Sequence, residues 1–132
     1  MSTQPKYEHV VIHVEDMEQF RTELRKDLIS IGFNPNKIYQ VEDLMSFIKL
    51  VKNLKPDLII CDWNLPDGTG FDLLKKIKGV PTLRDIPFVL CTTMDEINNI
   101  LDAIAAGASE YVVKPWKHDE LEKKLKVVLK VK

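Results

Sequence analysis

Cysteine is scarce in this sequence, and so are net charge and long apolar runs. The two cysteines, Cys61 and Cys91, are too few for a disulfide framework and do not have metal-binding spacing. The formal net charge of −1 excludes the broad basic field that nucleic-acid-binding proteins carry. No apolar run approaches the roughly 20 residues that cross a bilayer. The polar start, MSTQPKYE, lacks an apolar signal core, so we expect a cytoplasmic protein with reduced thiols.

Short apolar runs alternate with segments of helical periodicity along the chain. Strands are predicted over 9–14, 37–41, 57–61, 86–92 and 110–114. Helices are predicted over 17–31, 42–54, 71–78, 95–106 and 119–130. The first helical pattern places five apolar side chains on one face: Met17, Phe20, Leu24, Leu28 and Ile31. Continuous apolar strands separated by helices indicate a parallel sheet covered on both faces. We therefore predict a doubly wound α/β domain over 9–132, preceded by a short loose tail over 1–8.

Residues with charged or reactive side chains stand where four of the predicted strands end. These are Glu15 and Asp16, Asp62, Thr92 and Thr93, and Lys114. In a doubly wound fold these ends share one edge of the sheet, which is where such folds bind ligands. Three carboxylates brought together need a compensating cation, and clustered carboxylate oxygens suit Mg²⁺.

The same residues could accept a phosphoryl group and stabilise its charge. The carboxylate of Asp62 can act as a nucleophile and form an acyl phosphate. Lys114 and a nearby hydroxyl would complete an electrostatic clamp around the transferred group. The segment after Asp62, NLPDGTG, is rich in turn formers, and its backbone could contact phosphate and metal. Each of these residues taken alone also has a purely structural explanation. Asp16, for example, could cap the helix that follows.

Four segments, in this order, resemble the response-regulator receiver domain of the CheY-like, stand-alone kind. They are VED (14–16), DLIICDWNLPDGTG (57–70), IPFVLCTT (86–93) and AGASEYVVKPW (106–116). The resemblance extends from His9 to Leu129. It implies a flavodoxin-like fold of five strands, in the order 2-1-3-4-5, with five helices. It also implies that Asp62 accepts a phosphoryl group from a histidine kinase or a histidine phosphotransfer protein in two-component signalling.

The resemblance assigns the other residues at the strand ends as well. It implies four Mg²⁺ ligands: Glu15, Asp16, Asp62 and the backbone carbonyl of Asn64. Thr92 would be the hydroxyl that moves toward the phosphoryl group, and Lys114 would pair with that group. The Lys114–Pro115 bond resembles one that is usually cis in the family. Tyr111 would be the aromatic residue whose rotamer reports phosphorylation.

Some positions depart from the common family pattern or raise separate expectations. Glu15 stands where aspartate is frequent, but its longer side chain should still reach the metal. His13 lies inside the first strand, where we expect a neutral ring with one nitrogen satisfied, or alternatively a pH sensor. Cys61 and Cys91 each precede a strand-end residue. We expect both thiols on the sheet face opposite Asp62 and Thr92, and close together.

The resemblance places the output surface on the fourth helix, the fifth strand and the fifth helix. Five residues are its candidate partner contacts: Ile97, Ile100, Ile104, Tyr111 and Lys124. Because the chain ends after the fifth helix, we expect a stand-alone receiver that signals by binding another protein. Two functions stay open, a diffusible switch as in chemotaxis, and a relay intermediate or phosphate sink without an output surface. A metabolic enzyme is disfavoured because Asn64, and no second aspartate, lies two residues beyond Asp62, so only slow self-dephosphorylation is expected.

Overall fold

Five runs of mainly apolar residues form a single parallel sheet in the computed structural model, which describes residues 4–93 and 98–131. The strands are β1 (Val11–Val14), β2 (Ile38–Val41), β3 (Leu58–Asp62), β4 (Phe88–Thr92) and β5 (Glu110–Val113). Their order is β2-β1-β3-β4-β5, and every neighbouring pair is parallel. The predicted fold class and strand order are therefore confirmed.

Within the described residues, five α-helices cover the two faces of the sheet. They are α1 (Glu18–Ile31), α2 (Leu44–Leu50), α3 (Gly70–Lys78), α4 (Ile100–Ala105) and α5 (His118–Leu129). On one face, α1 and α5 bury Leu24, Leu28, Leu121 and Leu125 against the sheet. On the other face, α2, α3 and α4 bury Phe47, Leu74 and Ala103. None of the described helices has the length and apolar character needed to cross a membrane.

A small antiparallel hairpin follows β3 and was not predicted from the sequence. Asn64–Leu65 pairs with Gly68–Thr69, and α3 begins at the next residue. The first turn of α3 is fixed by a capping box, in which Thr69 Oγ1 accepts from the N–H of Asp72 and the Asp72 carboxylate accepts from the N–H of Thr69. The turn-rich segment after Asp62 is thus tied to a helix start.

Part of the expected loose tail is joined to the domain. The backbone N–H groups of Lys6 and Tyr7 donate to the carbonyl of Gly32 at 2.8 and 3.0 Å. The Tyr7 ring also lies 5.2 Å from the Phe33 ring, measured between centroids. These contacts anchor the chain just ahead of β1, so the prediction of a loose segment is wrong for Lys6 and Tyr7.

The prediction that the two thiols share one face of the sheet is wrong. Asp62 pairs with Cys91 in the sheet, and Cys61 pairs with Leu90. Since paired residues of neighbouring strands face the same side, this register sends Cys61 toward α2–α4 and Cys91 toward α1 and α5. Both thiols are buried and free of disulfides, and burial raises the pKa of each well above its usual value.

Three expectations about side-chain placement around the helices also fail. Met17 precedes α1 and is 49% exposed, so it does not lie on the buried face. Met17 occupies the position before the helix without a side-chain cap, so Asp16 does not cap α1. Ile100 at the start of α4 is only 7% exposed and packs into the core, so the prediction that it contacts a partner is wrong. Ile97 lies outside the described residues.

Candidate functional site

The carboxyl ends of β1, β3 and β5 bring two carboxylates and an ammonium group into contact. Lys114 Nζ lies 2.8 Å from Glu15 Oε1 and 3.1 Å from Asp62 Oδ2. All three side chains are buried at the edge of the sheet. Glu15 follows β1, Asp62 ends β3 and Lys114 follows β5, so the fold gathers residues from distant parts of the sequence. The predicted convergence of strand ends is confirmed for these three residues.

An aromatic ring covers the same ammonium group from the side of α1. Lys114 Nζ lies 4.1 Å from the centroid of the Phe20 ring, which is a cation–π distance. Phe20 in turn contacts the Trp116 ring, with 5.9 Å between centroids. The helical pattern of the sequence predicted Phe20 to lie in the core and did not indicate this contact. The available signal was its position one helical turn beyond Asp16, at the mouth of the predicted site.

The backbone around Glu15 is held from both sides. Its N–H donates to the carbonyl of Val41 on β2 at 2.9 Å. Its carbonyl accepts from Arg21 Nη1 at 2.8 Å, and its carboxylate accepts from the N–H of Met17 at 3.2 Å. The longer side chain therefore folds back toward Lys114, while its second oxygen is fixed by the start of α1.

Burial sets the protonation chemistry of this cluster. Burial raises the pKa of Glu15 to about 7, although its hydrogen bond with Lys114 acts in the opposite direction. Burial also raises the pKa of Asp62, again against the Lys114 charge. Burial alone would lower the pKa of Lys114, but the hydrogen bond to Glu15 and the charge of Asp62 outweigh it and the pKa rises. Lys114 therefore stays charged, but its one positive charge does not balance the two carboxylates of Glu15 and Asp62.

A third carboxylate lies within reach of the first two. Glu15, Asp16 and Asp62 each offer an oxygen, and these oxygens lie within 4.8 Å of one another. Asp16 is exposed, whereas Glu15 and Asp62 are buried. An open oxygen cluster with a surplus of negative charge has the donor chemistry that Mg²⁺ requires. The residues present therefore fit the metal.

The main chain of Asp62 is packed without spare room. A Cβ placed on Gly70, the first residue of α3, would lie 2.4 Å from the Asp62 carbonyl oxygen and 2.7 Å from Leu90 Cδ2. The N–H of Gly70 donates to the carbonyl of Trp63 at 2.8 Å, and the N–H of Trp63 donates to the carbonyl of Cys91. Close packing of α3 on the end of β3 thus fixes the position of Asp62.

Thr92 and Tyr111, the two residues predicted to move, contact a backbone carbonyl and a lysine of α5 respectively. Thr92 is fully buried at the end of β4, and its hydroxyl donates to the carbonyl of Thr93 at 3.3 Å. Tyr111 on β5 is partly buried against the α2–α4 face. Lys124 Nζ on α5 donates to the Tyr111 carbonyl at 2.6 Å and lies 4.1 Å from the centroid of its ring.

The remaining site predictions concern His13 and the bond after Lys114. His13 is fully buried, and Gln40 Nε2 lies 3.1 Å from its Nδ1. Burial, with the charges of Lys114 and Arg21, lowers the pKa of His13 to about 3, so the ring is neutral. The predicted neutral histidine with one satisfied nitrogen is confirmed. The Lys114–Pro115 bond is cis, as the resemblance implied.

Comparison with known proteins identifies relatives that share this arrangement of elements. The family model of the response regulator receiver domain matches residues 11–126. Chemotaxis protein CheY1 of Helicobacter pylori is 30% identical over 116 residues, covering 88% of this chain and 93% of that protein. The phosphate regulon transcriptional regulatory protein PhoB of Escherichia coli is 32% identical, covering 91% of this chain and 51% of that protein. The N-terminal signal receiver domain of a Bacteroides fragilis two-component response regulator superposes with a TM-score of 0.80 at 28% identity, covering 90% of this chain and 94% of that structure.

Proposed function

Because this chain belongs to the response regulator receiver family, we propose that Asp62 is the carboxylate that accepts a phosphoryl group from a phosphohistidine. The observation that carries the proposal is the buried contact of Lys114 Nζ with both Asp62 and Glu15, at 3.1 and 2.8 Å. A lysine in this position neutralises one carboxylate and can then pair with a phosphoryl oxygen. The chain is a signalling protein in this role and not a metabolic enzyme.

The chemical step follows from the position of Asp62. One carboxylate oxygen attacks the phosphorus, a P–O bond forms, and the P–N bond to the donor imidazole breaks. The imidazole nitrogen leaves with the bonding electrons and takes a proton. Lys114 would follow the new negative charge, and the Thr92 hydroxyl would turn from the Thr93 carbonyl toward it. Slow hydrolysis of the acyl phosphate would reset the protein.

We propose that Glu15, Asp16, Asp62 and the backbone carbonyl of Asn64 would hold Mg²⁺. Bound there, the ion would offset the charge that develops on the phosphoryl oxygens. Support comes from the three carboxylates, whose oxygens lie within 4.8 Å of one another, and from Lys114, whose one positive charge is shared between Glu15 and Asp62. Of the three, Asp16 is the exposed one and is best placed to meet an incoming ion.

Calorimetric titration with Mg²⁺ tests the ligand set. Asp16→Asn and Asp62→Asn should each weaken Mg²⁺ binding at least about tenfold, because each removes a charged oxygen ligand. Asp85→Asn is the matched control, since Asp85 is exposed and is not a member of the carboxylate cluster. Equal affinities for all three variants would contradict the proposed ligands.

For the output of the protein we propose a phosphorylation-dependent docking surface on α4, β5 and α5. Two exposed apolar side chains of α4 support it, Leu101 at 77% and Ile104 at 43% exposure. Lys124 donates to the Tyr111 carbonyl and so links β5 to α5, the other two elements of the surface. Leu101 is not among the partner contacts predicted from the sequence. The H. pylori relative is a chemotaxis protein, which makes chemotaxis in the cytoplasm the first pathway to test.

A relay intermediate or phosphate sink is the second candidate function, because Tyr111 on β5 and Lys124 on α5 are partly buried and offer a partner little exposed surface. Binding assays of the phosphorylated and unphosphorylated protein with candidate motor proteins and with histidine phosphotransfer proteins separate the two. A switch binds its target more tightly when phosphorylated, and Leu101→Ser should reduce that gain. A relay protein exchanges phosphate with histidine proteins at the same rate with or without Leu101→Ser.

A further inference from the structure

A second cluster of metal-ligating side chains lies on α5, away from the carboxylates at the strand ends. His118, Asp119 and Glu122 each offer one ligand atom, and these atoms lie within 4.8 Å of one another. His118 and Glu122 are one helical turn apart, and His118 Nε2 lies 3.9 Å from Glu122 Oε1. Two metal–ligand bonds of about 2.0–2.2 Å each span a gap of this size. A small rotamer adjustment would let both atoms bind one ion.

A buried carboxylate on α1 orients the histidine of this cluster. Asp27 is only 9% exposed, and its Oδ1 lies 3.0 Å from His118 Nδ1. Its Oδ2 accepts from the indole N–H of Trp116 at 2.6 Å. Because an ionised carboxylate can only accept, Nδ1 of the histidine carries the proton and the lone pair lies on Nε2. Metal-binding histidines in proteins are commonly oriented by such a carboxylate.

We propose that His118, Asp119 and Glu122 form a binding site for a divalent first-row transition-metal ion, of which Zn²⁺ is the representative. An imidazole nitrogen with two carboxylates suits Zn²⁺, whereas Mg²⁺ prefers oxygen ligands alone. The cluster is open to an ion, since the His118 side chain is 37% exposed and the Glu122 side chain 31%. Water would complete the coordination.

Lys126 pairs with one carboxylate oxygen of Glu122 and leaves the other oxygen for the metal ion. Lys126 Nζ lies 2.8 Å from Glu122 Oε2, while Oε1 is the oxygen nearest to His118. The ligands at the strand ends, from Glu15, Asp16 and Asp62, are all oxygens, whereas the α5 cluster also offers a nitrogen. We therefore expect the two clusters to bind different ions. Through the Asp27–His118 contact, an ion on α5 would also strengthen the link between α5 and α1 and stabilise the folded chain.

Zn²⁺ titration of the full chain by calorimetry, in saturating Mg²⁺, tests the site. We expect binding of one ion. His118→Ala should abolish it, and Glu122→Gln should weaken it by more than about tenfold. Asp27→Asn, which removes the carboxylate behind the histidine, should weaken it by about 10–100-fold. Glu120→Gln is the matched control, because it removes the same charge from the same turn of α5 outside the cluster, and it should leave the affinity unchanged.

Three outcomes would overturn the proposal. The first is the absence of Zn²⁺ binding to the unmodified protein, and the second is equal affinities for Glu122→Gln and Glu120→Gln. The third is Zn²⁺ binding that survives His118→Ala but is lost in Asp62→Asn, which would place the ion at the strand ends. Glu122 is a surface residue, so the comparison stays informative even if Asp27→Asn unfolds the protein. The Zn²⁺ site does not depend on the proposed phosphoryl transfer, and either can fail without the other.

Discussion

Replacing Gly70 by alanine is predicted to destabilise the fold and displace the main chain of Asp62. The new Cβ would lie 2.4 Å from the Asp62 carbonyl oxygen and 2.7 Å from Leu90 Cδ2. The first of these is a backbone atom that cannot rotate away, so β3 and α3 must move apart. Overpacking of this kind costs about 1–3 kcal/mol, and the gain in helix propensity over glycine offsets at most about 1 kcal/mol. Because the clash is with a backbone atom at 2.4 Å, the cost lies at the upper end of this range, and we expect a net loss of about 2 kcal/mol in the free energy of unfolding.

The same change at the other end of α3 provides the control. A Cβ on Gly79 would meet Lys76 O at 3.5 Å, which is ordinary contact, and Gly79 has the right-handed helical conformation at φ −88°. Gly79→Ala should therefore be neutral or stabilise by up to about 1 kcal/mol, because alanine restricts the unfolded chain. In urea unfolding, the Gly70→Ala midpoint should fall by roughly 1 M relative to the native protein, while the Gly79→Ala midpoint should not fall.

Phosphorylation of the two variants supplies a second measure of the same reasoning. Because the Gly70 clash acts on the residue that bears the acceptor carboxylate, Gly70→Ala should be phosphorylated more slowly even under conditions where it is fully folded. Gly79→Ala should be phosphorylated at the native rate. Equal unfolding midpoints for the two variants would refute the claim that the Asp62 main chain is packed without spare room.

Three further predictions concern the charges and caps around the site. As the pH falls from about 7 to about 5, His13 should lower the free energy of unfolding by about 2 kcal/mol, because its pKa is about 3 in the folded protein and 6.5 in the unfolded chain. His13→Gln should remove this pH dependence, as measured by urea unfolding. Lys114→Met should cost about 3–5 kcal/mol, because it removes the cation that Glu15 and Asp62 contact in the buried cluster. Mg²⁺ should raise the melting temperature of this variant more than that of the native protein. An equal rise would contradict the charge balance described above. Thr69→Ala should lower the free energy of unfolding by about 1 kcal/mol, because it removes the hydroxyl of the capping box, whereas Thr69→Ser should keep it. Equal unfolding midpoints of the two variants in urea would exclude a role for the hydroxyl.

The positions of the site residues could be predicted because strand ends are visible in the sequence. The apolar run of β3 stops at Asp62, and the parallel sheet places that end beside the ends of β1 and β5. Burial then makes the contact of Lys114 with two carboxylates an expected outcome, since each buried charge needs a partner. Phe20 was placed on the correct side of α1, but its contact with Lys114 depends on the path of β5 above it.

Register between strands was the part that the sequence could not supply. Cys61 and Cys91 were expected side by side, which assumed that Asp62 and Thr92 stand at the same level. The sheet instead pairs Asp62 with Cys91, and a slip of one residue sends the two thiols to opposite faces. The side of the fourth helix that faces the core could not be predicted for a related reason. Three isoleucines at helical spacing did not reveal which of them enters the core, and the structure shows that Ile100 does.

The central claim is that Asp62 accepts a phosphoryl group with the help of a bound divalent cation. Intact mass spectrometry after incubation with a small-molecule phosphodonor, with and without Mg²⁺, tests it most directly. We expect one phosphoryl addition to the native protein that requires Mg²⁺ and is absent in Asp62→Asn, while Asp85→Asn gains it as the native protein does. An addition that persists in folded Asp62→Asn, or a folded native protein that binds Mg²⁺ but gains no mass from the phosphodonor or from phosphorylated histidine proteins, would contradict it.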